Sequence, residues 1–514
     1  MTEYMKTIES DNRSMVLTNA NVITMNAARP RARTVAIRDG RITAVDDGVA
    51  PGQGAARVLD LGGRTVLPGF IDGHVHLTWT GLQETALDFG EADTVAAVQS
   101  ILREAARDTD PGQVLFGLGI NHYQFPDHEL PTRADLDAAA PEHPVYISGV
   151  TGHYSVVNTL CLERQEVAAD TPGLEPSGLL RDRANTVVDR DMRGTFAREV
   201  GLETLYRAAA ERATSVGLTT VHALEGNDAP RDPHVRALLG IRDQLPVSVV
   251  VWYQTMDVSA VQELSLPRIG GCILLDGDFG PHTAALLEPY VDEPDTRGTL
   301  YHTQAEVDAF VEEAHRAGLQ VAMHAVGDRA AKQAIDAYER VLTRWPREDH
   351  RQRVEHFEVY DEALAQRAYR LGVCLAIQPP FNGFFGGHAR LEPILGEERA
   401  ARSDPVRSLI DAGVRVGGGS DSTVTPLKPL YGVHCAVNHS NPGERIGVER
   451  ALRLYTLDNA WLGFEEVEKG SIEVGKLADL VVLGEDPTAA DPDSIESIPV
   501  EMTICGGEIV YEAQ

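Results

Sequence analysis

The sequence predicts an α/β protein: a parallel (β/α)8, TIM-like barrel beside a small β-rich domain assembled from both chain ends. Three observations lead there. The chain has 514 residues and 43% hydrophobic content, enough for a barrel of roughly 250 residues with further elements around it. Eight short apolar runs recur between residues 65 and 422, most of them separated by helix-like stretches. Similar short β-branched segments appear near both termini.

The elements follow in chain order. Residues 1–14 are polar and expected to be frayed. MVLTNANVITM, TVAIRDGRITAV and ARVLDLGGRTVL then alternate or carry β-branched residues punctuated by Gly, Asn and Asp, the signature of short strands. RDGR at 38–41 is a hairpin-turn signal. LADLVVLGE (477–485) and EMTICGGEIVYEA (501–513) repeat that pattern, so residues 15–67 and 465–514 are assigned to one composite β-domain, with 68–464 forming the barrel.

The eight barrel runs are TVLPGFIDGHVH, LTTVHALEG (218–226), PVSVVVWYQ (246–254), GCILLDGD (271–278), LQVAMHAVGD (319–328), RVEHFE (353–358), VCLAIQPP (373–380) and VRVGGGSDS (414–422). Amphipathic stretches such as QAEVDAFVEEAHRAG and AAKQAIDAYERVLTRW lie between them. Strand–helix alternation of this kind argues for a closed parallel barrel. The first two runs are far apart. Residues from about 80 to 215 are taken as an elaborated loop region over the active face, with VLFGLGIN and PVYISGVTGHY as further strand candidates.

The formal charge is −31. Such an acidic surface repels nucleic acid and anionic membranes, and both are discounted as partners. No run approaches the roughly 20 apolar residues of a membrane span. The five cysteines are scattered without a CxxC pair, which suits a reducing compartment. The expected location is cytoplasmic.

The ends of the apolar runs carry the chemistry. His74 and His76 in GHVH are two apart, so on a strand they share a face. Two imidazoles at that spacing can chelate one ion, although paired histidines on a strand are commonly just polar residues near a surface. Three other runs end on His324, His356 and Asp421. Four of eight strand ends therefore offer ligands suited to zinc, and strand C-termini are where barrels place their active sites.

The pattern GFIDGHVH…MHAVGD…VEHFE…GSD…GSIEVGKLADLVVL resembles the amidohydrolase superfamily of metal-dependent hydrolases. PTRADLDAAAPEHPVYISGVTGHYSVVN, PSGLLRDRA, GLTTVHALE, DGDFGPHTAALLEPY and HAVGDRAAKQAIDAYE resemble, more narrowly, the branch containing the N-substituted formamide deformylases (amidohydrolase family 3). The resemblance runs from about residue 15 to 512. It implies that the composite domain is a β-sandwich. It also implies one or two divalent ions, most simply zinc, a small-molecule substrate, and a fold compatible with a homodimer.

One departure stands out. Many binuclear relatives bridge their metals with a carboxylated lysine, and the matching position here is Cys272. The five lysines, Lys6, Lys332, Lys428, Lys469 and Lys476, all lie away from these strand ends. Three arrangements stay open: Cys272 as a thiolate ligand, a bridge from Glu225 or Asp276, or a single metal held by His74, His76, His324 and Asp421 with His356 nearby.

A bound divalent ion lowers the pKa of its water to about 7. Asp421 is then the expected catalytic residue, passing a proton from water to the leaving nitrogen. Candidate substrate contacts are His153, His222, Glu225, Asp276, His282 and Asp328, the last of which could instead orient ligands from behind. Trp79, Phe116, Tyr123, Phe125 and Tyr154 supply aromatic surface, as do Phe381, Phe384 and Phe385 in a glycine-bearing segment read as a mobile loop. Arg181 and Arg183 are the candidate clamps for an anionic substrate.

The reaction expected is hydrolysis of a non-peptide C–N bond in an N-substituted amide, formamide, carbamate or cyclic amide, by attack of metal-activated hydroxide. Deamination at one metal is the first alternative, weakened because AVGD follows His324 where a proton-shuttling glutamate would stand. Ester or carbamate hydrolysis is a second. A non-enzymatic scaffold is a third, and it would be expected to have lost several ligands.

Overall fold

The computed structural model describes residues 14–46, 57–150, 152–165, 171–226 and 232–513. All but the last residue of the segment expected to fray therefore lies outside the described part.

Strands from the two ends of the chain share one sheet. Its order is Glu508–Glu512, Val500–Cys505, Leu480–Leu483, Thr65–Pro68, Asn21–Ile23, Arg31–Ala32. A second sheet runs Arg41–Asp46, Thr34–Arg38, Met15–Thr18, Arg57–Asp60. Leu17, Val35 and Ile42 from the four-stranded sheet and Val66, Leu480 and Ile504 from the six-stranded sheet belong to one buried apolar cluster. Alternation along each strand turns these residues to a common face. The RDGR segment makes the expected tight turn: Arg38 pairs with Arg41, and Asp39 (φ 51°) and Gly40 (φ 78°) are both left-handed, as a two-residue hairpin requires.

The barrel has eight parallel strands. In chain order they are β1 (Phe70–Val75), β2 (Leu218–Glu225), β3 (Ser248–Tyr253), β4 (Arg268–Ile269), β5 (Gln320–Ala325), β6 (Arg353–His356), β7 (Cys374–Ile377) and β8 (Val416–Gly418), each paired with the next. A parallel bridge between Val75 and Ser422 joins the last strand region to the first and closes the ring. The intervening helices are amphipathic. In Gln304–Arg316, capped by Thr303 and Glu306, the buried residues Val307, Phe310, Val311 and Ala314 recur at helical spacing.

One run was misassigned. GCILLDGD is not the fourth strand. That strand is Arg268–Ile269, after which Gly270 (φ 92°) and Gly271 (φ 62°) turn the chain in left-handed steps that a side chain disfavours. A Cβ on Gly270 would lie 2.1 Å from the Ala322 carbonyl oxygen. Cys272, Ile273 and Leu275 are buried in an irregular segment that touches β5 through a single bridge, Leu274 to His324.

The region read as an elaborated loop is more than that. Residues 78–209 form a compact unit. Its five-stranded sheet is ordered Leu179–Arg181, Tyr154–Val157, Val145–Gly149, Leu115–Ile120, Leu87–Asp88. Two apolar clusters hold it, one around Phe116, Tyr146, Val188 and Phe196, the other around Phe89, Val98, Ile120 and Val145. VLFGLGIN and PVYISGVTGHY both contribute strands. No described helix is long and apolar enough to cross a membrane.

Candidate metal centre

Six side chains chosen from the sequence meet at the C-terminal rim of the barrel. The His74 and His76 Nε2 atoms lie 3.3 and 3.1 Å from the same Asp421 oxygen, Oδ1. The backbone holds this meeting in place: the Asp421 N–H donates to the His74 carbonyl at 2.9 Å and the His76 N–H to the Ser422 carbonyl at 3.0 Å. His74 Nε2 and Asp421 Oδ1 are buried, and the close approach between them lacks hydrogen-bond geometry. Buried polar atoms without partners are uncommon. Two facing ones belong to groups aimed at a shared point. Ligand atoms of His74, His76 and Asp421 all lie within 4.8 Å of one another, as do those of His74, Cys272 and His356.

Each imidazole is anchored by its outer nitrogen. His74 Nδ1–H donates to Glu355 Oε2 at 2.7 Å. His76 Nδ1–H donates to the Leu224 carbonyl at 3.2 Å. His356 Nδ1–H donates to Gln378 Oε1 at 2.7 Å. His324 is turned the other way, with Nε2–H toward the Gly277 carbonyl at 3.4 Å and Nδ1 facing Cys272 Sγ at 3.6 Å. Acceptors on the outer nitrogens orient each ring and turn its inner nitrogen toward the centre, where it becomes a ligand once its proton is lost, the arrangement metal-ligating histidines adopt. Glu355 in turn pairs with Arg353, and both are fully buried. The Arg353 guanidinium lies 4.4 Å from the Trp252 ring centroid.

Cys272 sits among the imidazoles, its Sγ also 3.9 Å from His356 Nε2. Burial opposes ionisation of the thiol, but hydrogen bonds from His324, His356, His74 and His76 outweigh it and hold the pKa well below the ordinary value. The same balance runs in reverse for the imidazoles. Burial disfavours their charge, yet Asp421 and Cys272 raise His76 to about 10, and Cys272 and Asp276 raise His324 to about 9. Burial likewise opposes ionisation of Asp421, but His74 and His76 hold it well below the usual carboxylate range. The cluster thus offers a cysteine sulfur, a carboxylate and four imidazoles, which suits a borderline-soft divalent cation.

His356 reaches the centre by a break in strand alternation. Glu355 faces inward to His74, so His356 would ordinarily face outward. His356 (φ 73°) and Phe357 (φ 57°) adopt left-handed backbone, which ends the strand and brings both side chains to the rim. Residues held in such strained backbone cluster at functional sites.

Beside the cluster lies a cavity of about 540 Å³ lined by His324, His356, Asp421, Phe381, Phe385, Leu391, Val326 and Val424, together with Asp278, Glu358, Arg390 and Asp404. Phe381 stacks on His356 with ring centroids 6.0 Å apart. The segment that carries it is the helix Pro379–Phe384 rather than a loop, begun by two prolines at its first turn.

Several expected contacts are engaged elsewhere. Asp276 is fully buried and accepts backbone N–H groups from Ala285, Gly327 and Val326 at 2.7, 2.8 and 3.0 Å. These bonds occupy its carboxylate, and its Oδ1, 3.5 Å from His324 Nε2, helps to orient that ring. His222 lies beside the Arg353 guanidinium at 3.2 Å and away from the cavity. Burial and the charges of Arg353 and Arg268 push its pKa well below the ordinary value. His282 pairs with Asp292 at 3.0 Å. Asp328 opens the helix Asp328–Arg344 and accepts the Leu287 N–H at 2.8 Å. Glu225 is buried at the end of β2 and belongs to neither ligand cluster.

Trp79, His153, Arg181 and Arg183 lie in the 78–209 unit. There Phe116 and Phe125 are core residues and Tyr154 donates to the Ile120 carbonyl at 2.7 Å, so these three are structural. Tyr123, in the same unit, and Phe384, outside the cavity lining, are largely exposed.

Sequence reading missed Asp72, Arg353, Glu355 and Gln378. Asp72 accepts the N–H groups of His74 and Ser420, both at 3.0 Å, and burial lifts its pKa to about 6. Its signal was present: Asp72, His74 and His76 alternate on one face.

A rim of imidazoles, a cysteine and a carboxylate at the strand ends of a closed parallel barrel is the ligand set of a metal-dependent hydrolase. Comparison with known proteins makes the class specific. The pattern of the amidohydrolase family matches residues 57–511, and the chain belongs to that family. It is 29% identical to YtcJ of Bacillus subtilis (strain 168), over 91% of this chain and 95% of that protein. It is 27% identical to the N-substituted formamide deformylase of Arthrobacter pascens, over 97% of this chain and 98% of the other. An uncharacterized metal-dependent hydrolase from Pyrococcus furiosus superposes with a TM-score of 0.76 at 25% identity, over 92% of this chain and 100% of that one. Members of the family generally bind a divalent metal, and the clusters above offer ligands for one.

Proposed function

We propose that the protein hydrolyses the C–N bond of a small N-substituted amide or formamide at this rim. His74, His76, Cys272, His324, His356 and Asp421 are assigned to one or two zinc ions, with the Cys272 thiolate in the place of a carboxylated lysine. The observation that carries the reading is the convergence of buried ligand atoms, with His74 Nε2 and Asp421 Oδ1 3.3 Å apart, beside a cavity of about 540 Å³ that Asp421 lines. A divalent ion bound there supplies Lewis acidity, lowering the pKa of water to about 7 and polarising a carbonyl.

The chain's own groups do the rest. Asp421 Oδ1 faces both the ligands and the cavity, so it can take a proton from the attacking water and return it to the departing nitrogen. Glu355, Gln378 and the Leu224 carbonyl hold the imidazoles in one orientation throughout. Phe381, Phe385 and Leu391 exclude water from the cavity wall and receive an apolar substituent. A cytoplasmic location belongs to the same reading and is supported by five free cysteines. A homodimer and the absence of nucleic-acid partners remain part of it, the latter supported by the net charge of −31.

Zinc-loaded protein is expected to release formate from N-benzylformamide or the corresponding acid from a related amide, with loss of activity on chelation. A panel of formamides, amides, cyclic amides and carbamates left intact by fully metallated protein would refute the assignment.

A further inference from the structure

The cavity is lined by two acids, Glu358 and Asp404, that the hydrolytic reading does not use. Glu358 is 7% exposed and lines the cavity. Its carboxylate has no hydrogen-bond or ion-pair partner among the described residues. Asp404 lines the same cavity. Its N–H donates to the Glu358 carbonyl at 2.9 Å, tying the two residues together. One Asp404 oxygen accepts from Asn382 Nδ2 at 3.1 Å, and no described residue bonds the other. The nearby cation, Arg390, is held over the Phe385 ring at 4.5 Å and makes no ion pair with either acid.

We propose that Glu358 and Asp404 form a cation subsite, so that the substrate carries a protonated amine or guanidinium remote from the bond that is cut. The inference rests on the amide-hydrolase reading of the same cavity and names its substrate class. Burial raises the pKa of both carboxyls, Glu358 further through its neighbour Asp404, and a cation in the cavity they line would supply the partner that an ionised buried acid needs. Phe381 and Phe385 line the same cavity, giving an aliphatic or aryl spacer an apolar wall and a cation an aromatic face. The net charge of −31 draws cationic ligands toward the protein.

The test uses metal-loaded protein and two probes of matched length, pentylammonium and pentanol, with affinities measured by calorimetry at neutral pH. Pentylammonium is expected to bind about tenfold more tightly or better. That preference should fall toward unity in Glu358→Gln and in Asp404→Asn, each checked for folding by thermal unfolding. Hydrolysis is followed separately on mono-N-formyl-diaminopentane and N-pentylformamide. Equal binding of the two probes by the wild type overturns the subsite, whether or not the variants fold. A preference that persists in both folded variants overturns it as well. A preference lost in the variants, with neither formamide hydrolysed, sustains the subsite and removes the formamide reading instead.

Discussion

Glu355→Gln separates metal tuning from structural support. Glu355 bonds Arg353 on one side and His74 on the other, and both it and Arg353 are fully buried. Removing its charge strands the Arg353 guanidinium, whose Nη2 already lacks a partner. Breaking such a buried pair costs about 3–5 kcal/mol of stability. The glutamine amide oxygen can still accept from His74 Nδ1, but without the negative charge the inner nitrogen becomes a weaker base. Loss of an outer partner of this kind lowers metal affinity about 10–100-fold, or about 1.4–2.8 kcal/mol. Two measurements are needed: chemical unfolding of the metal-free protein, and zinc affinity against a competing chelator. The double variant Glu355→Gln with Arg353→Met should recover much of the stability and none of the affinity. Zinc affinity within about twofold of wild type in Glu355→Gln would refute the reasoning, because Glu355 would then serve Arg353 alone.

Three further outcomes are expected. Asp421→Asn should lower turnover about a hundred- to ten-thousandfold, through loss of the proton carrier, as read by steady-state kinetics on metallated protein. Chelation should lower the thermal midpoint, because an ion present at about a thousandfold over its Kd contributes about 4 kcal/mol; calorimetry with and without zinc measures this, and an unchanged midpoint counts against the centre. Phe381→Ala should raise KM for substrates with apolar substituents and cost about 3 kcal/mol of stability, since Phe381 is 8% exposed and packs on His356.

The parts of the site readable from sequence are those carried by local pattern. HxH at the end of an apolar run fixes His74 and His76 on one face without any knowledge of the partner strands. His324 and Asp421 likewise follow apolar runs. His356 was found for an incomplete reason: alternation selects Glu355, and only the left-handed backbone at His356 and Phe357 admits both. Glu355 was hidden by the same break. Cys272 was placed on a strand end, whereas it follows a Gly-Gly turn after a two-residue strand, and a run as apolar as CILL gives no sign that its backbone is irregular.

Asp276 and Asp328 show the opposite error. Acids beside glycine near a strand end look like site groups, yet backbone N–H groups claim them, and that demand is set by loops distant in sequence. Glu358 and Asp404 escaped notice because their proximity depends on how two separate βα loops meet.

The account turns on sulfur at the metal. X-ray absorption at the zinc edge of the wild-type protein should show a sulfur scatterer at about 2.3 Å with imidazole nitrogens at about 2.0–2.1 Å, and Cys272→Ala should lose the sulfur. A shell of nitrogen and oxygen alone in active wild-type protein, unchanged in Cys272→Ala, would contradict it.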